Sequence, residues 1–205
     1  TQDTFFLKKS TINCKGKLLN LDELAVMGIL NLTPDSFFDG GSLNNNQEVR
    51  EKVQKMLSDD AKIIDIGGYS SRPGAAEVNE EEELKRVIPI IELLTNEFTD
   101  IIISIDTFRS KVAKQAINAG AAIINDISAG NLDENMFTTV KELQVPYIIM
   151  HMQGTPANMQ TNPTYKNVTL DVIDFFAKKI NELNQLGVND IIIDPGFGFG
   201  KTVEH

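Results

Sequence analysis

Six short runs of apolar, mostly β-branched residues recur along the chain: Ala25–Leu30, Lys62–Ile66, Ile101–Ile105, Ala122–Ile124, Tyr147–Met150 and Ile191–Ile193. Each ends at a polar or glycine-rich cluster: Asn31, Gly67–Gly74, Asp106, Asn125-Asp126, His151 and Asp194–Gly200. The runs are apolar along their length rather than alternating. That is the pattern of parallel strands buried on both faces. A (β/α)8 TIM barrel gathers the C-terminal ends of such strands on one face, where its enzymes build their sites. The polar clusters are therefore candidate site residues.

Helical periodicity fills the gaps between the runs. Val49, Val53, Met56 and Leu57 share one face of a helix expected over Gln47–Asp59. Asn79 followed by Glu82 reads as a capping box that opens the next helix, with Pro89 expected to kink it. In that helix Leu84, Val87, Ile88, Ile91 and Leu94 form the apolar stripe, and the acidic run Glu80–Glu83 fits a first helical turn. Ser110 and Gly120 are a start-and-stop pair. Further helices are expected over Asp133–Leu143 and Val168–Leu186. Near the N-terminus, Thr4–Lys8 and Lys15–Leu19 flank a turn-rich stretch and predict a hairpin, placed to cover the bottom of the barrel. Alternating strands and helices make one α/β domain over residues 1–205. A complete barrel needs ~250 residues. The chain has 205, so the last one or two βα units are expected to be missing from it.

Composition narrows the function classes. The formal net charge is −10, whereas a nucleic-acid-binding domain is usually basic with clustered Lys and Arg. Small anionic substrates stay possible, because glycine loops and a few cations can hold them locally. Cys14 is the single cysteine, so no internal disulfide can form. No N-terminal apolar h-region and no long apolar span occurs, so a cytoplasmic protein without a membrane anchor is expected.

The densest chemistry lies on the loop after the first core run, residues 31–41. Asn31 offers a neutral oxygen to a hard cation or an N–H to an oxyanion. Phe37 and Phe38 either tuck against the body or belong to a lid over a ring substrate. On the loop Gly67–Gly74, hydroxyls and Arg72 suit phosphate contacts. Asp106, Asn125 and Asp194 end three different strands, where carboxylates are costly to bury without a hydrogen-bond donor. An amino-oxo heterocycle presents adjacent N–H groups that such acceptors could pair with; a satisfied network at the barrel rim is the alternative. Residues Gly196–Thr202 imitate a P-loop ending, but Pro195 stands where that motif needs a glycine. His151 has no Cys or His partner nearby, which argues against a metal role.

Taken together, MGILNLTPDSFFDGG (27–41), SSRPGA (70–75), SIDT (104–107), INDI (124–127), MHMQGT (150–155) and residues Asp194–Lys201 resemble the dihydropteroate synthase family of pterin-binding barrels. The resemblance implies a transferase that joins 6-hydroxymethyl-7,8-dihydropterin diphosphate to p-aminobenzoate in folate biosynthesis, the reaction sulfonamides block. It implies a pterin held by Asp106, Asn125 and Asp194. Mg2+ would sit with Asn31 and Asp39, and Ser71 and Arg72 would lie near the diphosphate. Phe37, Pro73, Gly198 and Phe199 would wall the p-aminobenzoate pocket. It also implies a homodimer.

The sequence departs from the family pattern at three points. Tyr69 stands where the family usually has Glu, and Ser71 replaces the usual Thr. The family's later Lys and Arg-x-His pair are absent from the chain, which ends at His205, so a loss of turnover is expected for it. Two rivals share the barrel: a pterin-dependent methyltransferase serving a corrinoid, and a pterin-binding paralogue that has lost catalysis. The methyltransferase would not need the 33–41 and 70–74 loops, and the paralogue would be favoured by loss of Asn31 or Arg72.

Overall fold

The computed structural model describes residues 10–32, 43–69, 78–155 and 158–205. A two-stranded antiparallel hairpin, β1 (Thr11–Cys14) and β2 (Lys17–Asn20), precedes a parallel sheet of six strands. These are β3 (Val26–Asn31), β4 (Ala61–Gly67), β5 (Ile103–Asp106), β6 (Ile123–Asp126), β7 (Tyr147–Met150) and β8 (Ile191–Asp194), paired strictly in chain order. The helices are α1 (Leu43–Ser58), α2 (Glu80–Glu97), α3 (Ser110–Ala119), α4 (Met136–Leu143) and α5 (Val168–Gln185). Among the described residues, no helix is long and apolar enough to cross a membrane.

Side-chain parity explains why the runs are apolar throughout. One set of strand residues, including Leu30, Ile64, Ile66, Ile103, Ile105, Ile124, Tyr147 and Ile149, packs in a single core with the helices. The alternate set, Ile63, Ile102, Ile123 and Ile148 with Met27 and Ile192, packs instead against Ile12, Cys14 and Leu19 of the hairpin. All described helices thus lie on one face, and the other face is closed at its lower end by the hairpin. A doubly wound sheet would carry helices on both faces. One-sided helices and sequential parallel order are the wall of a (β/α)8 barrel.

The hairpin differs in place from its sequence reading. Its turn is Lys15-Gly16, both at positive φ, so β2 pairs with Thr11–Cys14 immediately before it. Thr4–Lys8 lie outside the described residues. A two-residue turn leaves no room for a more distant partner strand. Lys15 Nζ donates to the Ile117 carbonyl at 2.6 Å, and Lys17 Nζ donates to the carbonyls of Thr99 and Ile101 at 2.8 Å each. These bonds tie the hairpin to the lower ends of α3 and β5.

Helix termini show a second difference. Asn79 caps α2 as read, accepting from Glu82 N at 2.8 Å, but Glu82 turns its carboxylate to Arg86 and α2 runs on through Pro89. Ser110 does not cap α3. It is the first helical residue, and its N–H donates to Asp133 Oδ2 at 2.7 Å. The other Asp133 oxygen accepts from Asn135 N at 2.9 Å, and α4 begins one residue later, at Met136. Burial alone would raise the Asp133 pKa, but the bonds from Ser110 and Asn135 outweigh it and hold it below the ordinary value. Asp133→Ala is expected to cost about 1 kcal/mol in urea unfolding, the usual worth of a cap, while Ser110→Ala stays near neutral. The reverse order would show that Ser110 supplies the cap.

Candidate functional site

Strand register builds the site. Asn31 pairs with Gly67, Gly67 with Asp106, and Asp106 with Asn125. One row across four strands therefore carries the predicted residues of β3, β5 and β6, all on the face away from the helices. Gly67 is where the row is tightest. A Cβ there would meet Asp106 Oδ2 at 3.3 Å and Asn31 Oδ1 at 3.4 Å. Glycine leaves that space to two polar heads converging from neighbouring strands. Asp194 ends β8 level with Met150, one pleat beyond Ile192 on the same inner face.

Below this row lies a carboxylate the sequence reading did not single out. Asp65 sits inside the apolar run of β4, is buried, and accepts a bond from Asn125 Nδ2 at 2.9 Å. That bond fixes which way the Asn125 amide faces. The other Asp65 oxygen lacks a well-formed hydrogen bond. The signal was present: a charged residue in a strand buried on both faces is costly unless it is partnered or functional. Burial raises the Asp65 pKa, against the pull of the Ser104 hydroxyl and the Asn125 amide. Asp106 is raised well above the ordinary carboxylate range, first by burial and then by the charges of Asp65, Glu83 and Asp126. Two carboxyls in so little water resist ionising together.

The neighbouring Asp126 serves another purpose. It accepts from Ser128 N and Oγ at 2.7 Å, Gly130 N at 2.8 Å and Tyr147 Oη at 2.7 Å. With its acceptor sites used, it shapes the turn after β6 and holds Asn125 at the strand end.

The loop after β8 forms a second wall. Asp194 Oδ1 accepts from Gly196 N at 2.8 Å. A Cβ on Gly196, whose φ is +66°, would collide with the His151 carbonyl oxygen. The Gly198 carbonyl accepts from Gln160 Nε2, and Phe199 packs with the buried methionines Met150, Met152 and Met159. His151 is buried among Tyr165, Phe175 and Phe176. Burial, then the nearby Lys201 charge, lower its pKa.

At the start of the loop after β4, Tyr69 meets Phe108 edge to face at 5.2 Å, with the Arg109 guanidinium 5.6 Å from the Tyr69 ring centroid. Arg109 pairs with the buried Glu83 and donates to the Val78 carbonyl at 2.7 Å. The last residue of the acidic run thus enters the core as an ion pair. Phe37, Asp39, Ser71, Arg72 and Pro73 lie outside the described residues.

The Asp65–Asp106 pair has a pH signature. A carboxyl whose folded pKa stands above its ordinary 3.8 keeps a proton that the unfolded chain has released. Its contribution to stability is greatest below that ordinary value and is lost as pH rises through the folded pKa. Asp65→Asn removes one of the two charges. Between about pH 5 and pH 8 the variant is expected to lose less unfolding free energy than the wild type. An equal or steeper loss, measured by urea titration at both pH values, would contradict the coupling.

Residues 27–205 match the family model of the pterin-binding enzymes. The chain is 47% identical over 191 residues to the dihydropteroate synthase of Haemophilus influenzae, covering 92% of this chain and 69% of that protein. It is 51% identical over 179 residues to a folic acid synthesis protein of Schizosaccharomyces pombe, covering 86% of this chain and 24% of that much longer one. Among solved structures, Yersinia pestis dihydropteroate synthase with a sulfonamide drug aligns with a TM-score of 0.87 at 44% identity, over 95% of this chain and 71% of that one. Xanthomonas albilineans dihydropteroate synthase with 4-aminobenzoic acid aligns with a TM-score of 0.84 at 40% identity, over 95% and 69%. Barrel wall, strand-end residues and sequence agree: the chain belongs to the pterin-binding enzymes and, among them, to the dihydropteroate synthases.

Proposed function

We propose that this chain carries the pterin-binding part of a transferase that joins 6-hydroxymethyl-7,8-dihydropterin diphosphate to p-aminobenzoate, giving 7,8-dihydropteroate and diphosphate. The observation that carries the reading is the row Asn31, Gly67, Asp106 and Asn125 at the strand ends, with Asp65 beneath it. A pterin edge offers adjacent N–H donors and ring-nitrogen acceptors. Asp194 can accept from two neighbouring donors, since the Gly196 N–H occupies part of one oxygen. Asn125, its Nδ2 committed to Asp65, turns its oxygen toward the ring as an acceptor. Asp106, inclined to keep a proton, can donate to a ring nitrogen or accept from an N–H.

The reaction is read as dissociative. The C–O bond to diphosphate breaks ahead of C–N bond formation, and the dihydropterin ring spreads the positive charge. The negative charge that Asp65 and Asp106 share, since the two resist ionising together, stabilises that cation at short range. The aniline nitrogen then attacks with its own lone pair and releases a proton, so no strong base is required. Water must be kept out, because it would trap the cation as the alcohol. Loop residues Ser71 and Arg72 would contact the diphosphate, and Phe37, Pro73, Gly198 and Phe199 would enclose p-aminobenzoate. The same pocket would take sulfonamides.

The family also implies Mg2+. Among the described residues no three His, Cys, Asp or Glu side chains gather as a metal cage, while Asn31 Oδ1 faces the space above Gly67. That donor set fits a cation held mainly by substrate oxygens and water, as Mg2+ commonly is beside phosphates. Asn31, with Asp39 on the following loop, would hold it, and bound there it would neutralise charge on the departing diphosphate.

Diphosphate release by the full-length protein with Mg2+ is expected to require both substrates. Release without p-aminobenzoate, or none at all, would refute the reading. Asp194→Ala removes a charged acceptor of two bonds and is expected to weaken pterin binding on the order of 100-fold or more in a calorimetric titration. Unchanged affinity would remove Asp194 from the pterin site.

A further inference from the structure

Lys201 closes the sequence that imitates a P-loop, yet its ammonium does not face open solvent as a phosphate ligand would. Its Nζ donates to the carbonyls of His151 at 3.1 Å, Gly196 at 3.0 Å and Phe199 at 3.0 Å. An ammonium has three N–H donors, and all three are spent on main-chain oxygens. One acceptor lies just after β7 and two lie on the loop after β8, so the contact spans two loops. Other bonds run across the same seam. His151 N donates to the Asp194 carbonyl at 3.0 Å, and Tyr165 Oη donates to the Gly200 carbonyl at 2.6 Å. Gln160 donates to the Gly198 carbonyl. Gly200 lies so close to Gln153 that a Cβ would meet its backbone N at 2.8 Å and O at 2.9 Å.

From this geometry we infer that Lys201 is a positioning residue for the p-aminobenzoate subsite: its ammonium draws three carbonyls together and so fixes the loop that carries Gly198 and Phe199. The physical reason is local. The loop alternates glycines at positive φ, Gly196, Gly198 and Gly200, and such a segment has little conformational preference of its own. Carbonyl oxygens turned toward one point repel each other unless a cation sits among them. Lys201 supplies that cation from within the chain; burial lowers its pKa, and the Asp194 charge offsets part of that shift. The loop is thereby held rigid against the loop after β7 and presents Phe199 in one place.

The inference rests on the functional reading above, and the test separates the two. Steady-state diphosphate release is measured on the full-length protein, varying each substrate in turn. Lys201→Met keeps the stem and removes all three donors. The KM for p-aminobenzoate is expected to rise about tenfold or more, with the KM for the pterin diphosphate changing less than about twofold. Lys201→Arg keeps the charge, but a planar guanidinium cannot meet three oxygens converging on one point. It is expected to fold like the wild type and to raise the p-aminobenzoate KM by a smaller factor, again selectively, which decides the matter if the Met variant does not fold. An unchanged p-aminobenzoate KM in a folded variant, or an equal rise in both KM values, overturns the inference while the functional reading stands. A wild-type protein without p-aminobenzoate-dependent release overturns the functional reading, and this inference with it.

Discussion

The structure depends on the hydrogen-bonded register of six parallel strands, the central four of which are covered on both faces. Every residue along such a strand must face either the helices or the interior, so polar groups are tolerated only where a strand ends or where a partner waits. The isoleucine layer under the hairpin fills the interior from below. What remains above it is the row at Gly67. A slip of one residue in any pairing would turn Asp106 or Asn125 toward the helices and bring apolar side chains into the site.

Hydrogen-bond satisfaction separates the buried carboxylates by purpose. Asp126 receives four bonds and holds a turn. Glu83 is paired with Arg109, which tethers the start of α2 to the segment after β5. Asp65 keeps one oxygen without a partner beside Asp106, and both are raised by burial and, for Asp106, by the Asp65 charge. Under-satisfied polar groups at the end of a barrel strand are costly in the free protein. A ligand that brings N–H groups and positive charge relieves that cost, which is how such a site comes to prefer an electron-poor heterocycle.

The two walls of the site are made differently. Its strand-end residues are held by sheet register, with Asp65 orienting the Asn125 amide. The loop after β8 has no such frame. Its order comes from bonds to the segment after β7, through Lys201, Tyr165 and Gln160. Rigid strand ends for the ring and a stapled loop for the second substrate divide recognition between two kinds of structure.

Much of this was legible in the chain. Runs that are mostly apolar and do not alternate announced buried parallel strands, and their polar ends announced Asn31, Asp106, Asn125 and Asp194, because the apolar pattern is a local property of a strand. Three features were not legible. Asp65 looked like part of an apolar run, since nothing local says that Asn125, on a strand two places away in the sheet, aims an amide at it. The cap of α3 was read at Ser110 but comes from Asp133, twenty-three residues on. Lys201 closed a P-loop imitation that Pro195 excluded, and its actual role stayed hidden because sequence shows a charge and not the carbonyls around it. The sequence by itself determined which segments are strands and which residues end them. The tertiary structure alone decided which polar groups meet, because those partners lie far apart along the chain and only strand register and the packing of helices and loops on the sheet bring them within hydrogen-bond reach.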